Sequence, residues 1–442
     1  MEDLADLAQC FVALRLRLPL RDLSMAVLSK LDGSGPEVVP SLVRLIRCWG
    51  LGSLYFSNVF QFCNLHLSCM KAPDLALYIY EMGRHGLRCR HLMGPAASKA
   101  VNLVQSMSLE DILKTWQGLI RFSKDHRNFY LKARTPVQRQ LSSMSIRQLL
   151  LVLRGARDLR NSMADLHGAT CAALLTRVQE LSPSEAAVSL SFCIYSDRYQ
   201  SHASSLVRAI VENWTSRQDL SSQRVVEAVD ALQCLASWKL RPLPVLEQLD
   251  GILVDRQVEL KYTGNISLWV VATRSLALMG YREASWPLLA LELAQEKTFL
   301  EQVPLHLQCE LLEGFALLGL FDATAFRNFA ELLLAEQRYF KGMKDMSMVL
   351  TSFAQCQFFH EEIFDTLYTL ILDKLQDSMA AESSVEAAWS FALAGYHRKF
   401  ESFATLLSHI FRKAQKKHRT ASIARTAGAS RGTGSCEAFQ LC

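Results

Sequence analysis

The chain has 442 residues, of which 50% are hydrophobic and 21% are charged, and its formal net charge is +5. A single compact core seldom grows to this length, whereas an array of stacked repeats has no such limit. No apolar run reaches the roughly 18–20 residues that a bilayer-spanning helix needs, so we expect no membrane segment. Leu and Ala dominate, Pro is sparse at 11 residues and strand-like alternation is missing, which together predict an all-α protein.

Residues 1–135 predict irregular N-terminal helical repeats with a basic surface. ADLAQCFVALRLRLPLRDLSMAVLSKL is a fair repeat copy, and a Gly/Pro loop at residues 32–40 separates it from the next helices. Residues 58–90 have the shape of a pentatricopeptide unit, with ALYIYEM similar to its second helix. Glu2, Asp3 and Asp6 precede any basic residue, which does not fit a secretory or organellar presequence.

Residues 136–411 predict regular helix-pair repeats of about 38 residues each. The clearest copies read LALMGYREASWPLLAL, FALLGLFDATAFRNFAELLL, FAQCQFFHEEIFDTLYTLIL and FALAGYHRKFESFATLLSHIF. Their helix breaks are 39, 38 and 38 residues apart and fall at Gly280, Gly319, Gln357 and Gly395. Earlier copies have breaks near Arg157 and Lys239. A fixed period of this size is typical of stacked helix pairs, so we predict a right-handed α-solenoid of about nine or ten pairs.

Charge is distributed unevenly along the chain. Residues 1–150 hold 19 Lys and Arg against 11 Asp and Glu, whereas residues 241–411 hold 13 against 22. Residues 412–442 hold 7 against 1 and are rich in Ser, Thr, Gly and Ala, which predicts a basic, largely disordered tail. The asymmetry predicts an anionic partner for the basic part, whereas the acidic C-terminal half is either a docking surface for protein partners or simply the rest of the scaffold.

The motifs of common catalytic and metal sites are missing from the sequence. No phosphate-cradling Gly loop precedes a helix, and neither HExxH nor GxSxG occurs. None of the 12 cysteines forms a CxxC pair, so we expect them to be core residues in a reducing intracellular compartment. We therefore predict a noncatalytic protein without a metal, a cofactor or a small-molecule substrate.

The candidate binding residues lie in a basic stretch. Residues 84–160 hold 15 Lys and Arg but only 4 acidic residues. Lys and Arg neutralise phosphates, and neighbouring aromatic rings or guanidinium planes stack on unpaired bases. The stretch therefore predicts contacts with single-stranded RNA, with bases stacked on Phe129 or Tyr130. The other candidate contacts are Arg84, Arg88, Arg90, Arg121, Lys124, Arg127, Lys132, Arg134, Arg139, Arg154 and Arg157. A docking surface for an acidic protein and a solvated charged face are the alternatives.

The helix pairs of about 38 residues, with FAxxG at the break and an apolar second helix, resemble the repeats of organellar RNA-binding proteins. These are the FAST-kinase-like and RAP-containing proteins, the heptatricopeptide and octotricopeptide repeat proteins, and the RNA-editing substrate-binding complex proteins. The resemblance implies a mitochondrial or plastid protein that acts in RNA processing, stability, editing or ribosome assembly. It covers residues 145–411, and the small α/β RAP module is not evident. The alternative is an armadillo/HEAT-like protein-interaction scaffold that binds no nucleic acid.

Overall fold

The computed structural model describes residues 31, 34–48, 56–85, 90–194, 200–216, 220–258, 265–336, 340, 342–374, 381–395, 404, 407 and 408. Among these residues every regular element is a helix and no strand occurs, which confirms the all-α prediction. The chain divides into two compact units, residues 1–218 and residues 219–442. This division does not coincide with the boundary predicted at residue 135. The predicted tail, residues 412–442, lies outside the described residues, as do residues 1–30.

The described part of the first unit contains ten α-helices. They are α1 (Val39–Cys48), α2 (Phe56–Leu65), α3 (Ala72–His85), α4 (Arg90–Leu103), α5 (Leu109–Leu119), α6 (Arg127–Arg139), α7 (Ile146–Leu159), α8 (Ala164–Leu175), α9 (Pro183–Cys193) and α10 (Gln200–Ser216).

These helices form two layers, because each helix packs against the next but one along the chain. One layer runs α1, α3, α5, α7, α9, and the other runs α2, α4, α6, α8, α10. The first-layer helices approach closely at glycines. A Cβ atom added to Gly118 in α5 would lie 2.4 Å from the Ile79 carbonyl oxygen in α3. Such backbone-to-backbone contact leaves no room for a side chain.

In the first unit, the turns that lead from one helix pair to the next recur every 37 residues. Short 3₁₀ helices occupy Leu67–Cys69, Val104–Ser106, Leu141–Ser143 and Val178–Glu180. Ser108 and Ser182 then cap α5 and α9, each in a capping box that satisfies exposed N–H groups of the helix end. The repeat therefore continues through residues 67–135, which the sequence had suggested to be irregular.

The described part of the second unit also contains ten α-helices. They are α11 (Val225–Ser237), α12 (Leu243–Asp255), α13 (Ile266–Leu278), α14 (Trp286–Ala294), α15 (Lys297–Leu300), α16 (Leu305–Leu318), α17 (Ala323–Ala335), α18 (Met343–Gln355), α19 (Glu361–Lys374) and α20 (Ala381–Leu393). Again two layers form, with α11, α13, α16, α18 and α20 in one and α12, α14, α17 and α19 in the other.

The first helix of each pair in the second unit ends in a left-handed residue. The positive φ angles are 54° at Lys239, 65° at Gly280, 74° at Gly319, 55° at Gln357 and 82° at Gly395. After four of them, the next N–H donates to the carbonyl five residues earlier, as in Leu320 to Phe315 at 2.9 Å and Tyr281 to Leu276 at 3.0 Å. This is the Schellman motif that ends helices. The breaks predicted at these five positions are confirmed, whereas the break near Arg157 falls slightly later, after Leu159.

Candidate functional site

A basic cavity lies in the first unit, where α5 ends beside the last turns of α7. It encloses about 680 Å³ and is lined by residues 120–125 and by Arg154, Arg157 and Asp158. Residues 120–125 follow the C-terminus of α5, beginning with the 3₁₀ turn Ile120–Phe122. The cavity therefore draws on two successive helix pairs.

Tight packing between α5 and α7 brings these distant segments together. A Cβ atom added to Gly155 in α7 would lie 2.3 Å from Nε1 of Trp116 in α5. Trp116 is fully buried and meets the ring of Tyr130 edge-on, with centroids 4.6 Å apart. The Tyr130 hydroxyl donates to the Trp116 carbonyl oxygen at 3.1 Å. This aromatic core fixes the end of α5 against α7.

Four cationic side chains line the cavity, against two carboxylates. Arg121, Lys124 and Arg154 are exposed, and none of them forms an ion pair within the described part of the chain. Four positive and two negative charges leave the lining with a formal net charge of +2. Unpaired Lys and Arg on an open concave surface suit an anionic group.

Arg157 is the most constrained of the four cations. Its Nε and Nη2 atoms donate to Asp158 Oδ1 at 2.9 and 2.8 Å, and its guanidinium lies 4.8 Å from the ring centroid of Phe192. The carboxylate offsets its charge, and the ring contact is a cation–π interaction that orients it. Neither Asp158 nor Phe192 was singled out from the sequence. Phe192 lies in α9, and no local pattern links it to Arg157.

A second physical role is open to these cations. Arg121 and Lys124 follow the C-terminus of α5, and Arg157 lies in the last turn of α7. Exposed carbonyl groups give a helix C-terminus partial negative charge, which nearby cations stabilise. Helix stabilisation and ligand binding therefore both have to be measured when these residues are changed.

The basic residues of α6 do not join the cavity. Arg127, Lys132 and Arg139 are exposed but do not line it, and the Arg134 guanidinium lies 3.8 Å from an Asp165 carboxylate oxygen. The structure therefore separates the predicted cluster into a cavity group and an α6 group.

The predicted base-stacking role of Phe129 and Tyr130 is wrong. Both side chains have 0% exposure, and their rings meet edge-on with centroids 5.7 Å apart. They lie on one face of α6 with Ala133 and Val137, which are also buried. Burial raises the pKa of the Tyr130 phenol. These rings support the core and cannot reach a base.

The remaining predicted residues lie away from the cavity or outside the described structure. Arg84 donates to a carboxylate oxygen of the buried Glu81 at 2.9 Å, so part of its charge balances an internal carboxylate. Arg88 lies outside the described residues, and so does the side chain of Arg90.

Within the described ranges, no group of three or more His, Cys, Asp or Glu side chains is placed to hold a metal ion. No helix there is both long and apolar enough to cross a bilayer. No protein-family model matches the chain, and no curated protein sequence matches it.

Proposed function

We propose that this chain is a noncatalytic α-solenoid scaffold that binds single-stranded RNA through the cationic cavity of the first unit. One observation carries the proposal: Arg121, Lys124 and Arg154 come from successive helix pairs, line one open cavity and have no ion-pair partner in the described structure. Phosphate neutralisation by such residues supplies most sequence-independent affinity for nucleic acid.

Unpaired strands suit this cavity better than a duplex does. With Phe129 and Tyr130 buried, the exposed planar groups at the cavity are the guanidinium groups of Arg121 and Arg154. Guanidinium planes stack on splayed bases while neighbouring cations hold the phosphates. By its resemblance to organellar repeat proteins, we propose that the scaffold acts in mitochondrial or plastid RNA processing, stability, editing or ribosome assembly.

The test compares two triple charge reversals in labelled-RNA anisotropy titrations. Arg121→Glu, Lys124→Glu and Arg154→Glu change the cavity, and Arg127→Glu, Lys132→Glu and Arg139→Glu make the same charge change on α6. We expect the cavity triple to abolish binding and the α6 triple to retain most of it. In the wild type, the three contacts should contribute about 2 to the steepness with which the logarithm of the binding constant falls with the logarithm of the salt concentration. Each neutralised phosphate of a single strand contributes roughly 0.7 to that slope.

Equal losses in both triples would contradict the proposal, because they would show general attraction to a basic surface. Circular dichroism melts of both variants control for the role of the cations at the helix ends. If the cavity triple binds RNA as the wild type does at a temperature where it is fully folded, the loss of binding came from unfolding. That result would likewise contradict the proposal.

A protein-interaction scaffold is the second candidate, and exposed apolar side chains in the second unit favour it. Phe321 and Phe359 are each 49% exposed, and Trp389 is 46% exposed. Exposed aromatic residues are enriched at protein interfaces. This function predicts nuclease-resistant recovery of protein partners and no RNA affinity above that of other weakly basic proteins.

A further inference from the structure

A second, smaller cavity lies in the second unit, on the side of α14. It encloses about 250 Å³ between the residues that follow α12, the start of α13 and one face of α14. Small-molecule pockets usually hold roughly 300–1,000 Å³. The volume therefore suits a single long side chain better than a cofactor or a metabolite.

Four of the seven residues that line it are apolar. Leu289 and Leu293 lie one turn apart on α14, and Val258 faces them from the segment after α12. Trp269 lines the buried side, with 2% exposure, and stacks on Trp286 at a centroid distance of 3.8 Å. Because so little of the Trp269 ring is exposed, the stacked pair supports the wall of the cavity but offers no open ring face.

Gln257 and two carboxylates complete the lining. Glu292 lies on α14 between the two leucines, and Glu296 follows the helix end. Glu292 is exposed and forms no ion pair within the described residues. Residues 241–411 as a whole hold 22 acidic against 13 basic side chains, so the surrounding field also attracts cations.

An aliphatic wall beside the exposed carboxylate of Glu292 matches one side chain in particular. Arginine covers apolar surface with its stem while its charged head stays at the polar rim. Its planar guanidinium also donates two parallel hydrogen bonds to one carboxylate, such as that of Glu292, which the ammonium group of lysine does less well.

We propose that this cavity holds an arginine side chain presented by a partner protein. The site would serve protein docking, and it is separate from the RNA-binding role proposed for the first unit. Its physical basis is an apolar groove with complementary charge, in the acidic part of the chain.

The test is anisotropy titration of the full chain with a labelled hexa-arginine peptide. Glu292→Gln removes a carboxylate at the cavity, and Glu283→Gln removes one from an exposed position that does not line it. We expect Glu292→Gln to weaken binding roughly tenfold, since a lost hydrogen bond to a charged group has about that effect. Glu283→Gln should change affinity less than twofold.

A second matched pair tests the apolar wall. Leu289→Ser changes a lining residue, whereas Leu288→Ser changes its neighbour, which is 49% exposed and lies outside the cavity. Only the first should weaken peptide binding. A hexa-citrulline peptide, which keeps the shape without the charge, should not bind.

Three results would overturn the inference. The first is an equal loss for Glu292→Gln and Glu283→Gln, and the second is equal binding of the citrulline peptide. Equal binding of a hexa-lysine peptide would overturn the choice of arginine. Arg154→Glu should leave peptide binding unchanged and Glu292→Gln should leave RNA binding unchanged, so each proposal fails by its own measurement.

Discussion

Both units stack helix pairs, but they end their helices in different ways. In the second unit, the first helix of each pair stops at a left-handed residue within a Schellman motif. In the first unit no described residue has a positive φ, and 3₁₀ turns follow the helices instead. The turns therefore carry different side chains: Arg121 and Lys124 follow α5, whereas Phe321 and Phe359 follow α16 and α18.

The two units also differ in the side chains that line their cavities. The charged residues that line the first-unit cavity are four cations and two acids, whereas those that line the second-unit cavity are two glutamates. One helix-pair plan thus carries two cavities of different charge, because the exposed side chains at turns and helix ends are not needed for the core. The next three tests address the physical differences between the units.

The largest effect is expected from glycines at helix contacts. Gly118→Ala would place a Cβ atom 2.4 Å from the Ile79 carbonyl oxygen, and backbone atoms cannot move aside. We expect a loss of about 3 kcal/mol in the free energy of unfolding. Gly314→Ala in α16 would meet Thr273 Cγ2 at 3.3 Å, and we expect a change within about 1 kcal/mol, since alanine's helix propensity offsets the contact.

Urea unfolding of both variants measures this difference. Equal losses would show that the close helix approach is not particular to the first unit.

A smaller effect is expected at the left-handed helix ends. Gly319 has a φ of 74°, so Gly319→Ala should cost about 1–2 kcal/mol through backbone strain alone. Gly251→Ala in α12 is the control, because no atom lies within 4 Å of its added Cβ, and it should gain up to about 1 kcal/mol. Thermal melts of the two variants should therefore shift in opposite directions, and a shared direction would contradict the role given to the left-handed ends.

The third test varies the pH. One buried group in each unit should make stability depend on pH, and the two dependences should have opposite signs. Burial lowers the pKa of His167 from its usual 6.5. The unfolded chain then binds the proton more readily, so the first unit loses stability as the pH falls below about 6.5. His167→Gln should flatten this dependence in urea titrations between pH 7 and 5, and an unchanged slope would contradict it.

Asp250 supplies the opposite case in the second unit. Its carboxylate accepts the N–H groups of Ser285 and Trp286 at 2.8 and 3.0 Å, yet burial raises its pKa above 3.8. The folded state then binds the proton more readily, so stability relative to Asp250→Asn should rise as the pH falls through the raised pKa. If the difference in free energy of unfolding between the wild type and Asp250→Asn does not change with pH, this effect is excluded.

The helix breaks of the second unit were predictable because left-handed helix ends leave a sequence signature. Gly280, Gly319 and Gly395 lie where only a residue tolerant of positive φ fits, and the register then located Lys239 and Gln357. The first unit lacks that signature. Its period is visible instead in LSCM, VQSM, LSSM and VQEL, which begin 37 residues apart at residues 67, 104, 141 and 178.

The candidate site was only partly predictable. The basic residues were evident, but helical spacing should already have placed Phe129 and Tyr130 in the core with Ala133 and Val137. Arg121 and Arg154 are 33 residues apart and line the same cavity because Gly155 packs against Trp116. No local sequence pattern reveals that contact. The close packing of α5 against α7, rather than the local composition, decides which cations share the cavity.

The most direct test of the RNA proposal is ultraviolet crosslinking of the full chain to single-stranded RNA, with the crosslinked peptides identified by mass spectrometry. We expect crosslinks in the peptides that contain residues 120–125 and 154–158, and their loss when Arg154 is changed to glutamate. Crosslinks confined to residues 220–395, or none at RNA concentrations that saturate binding, would contradict the proposal.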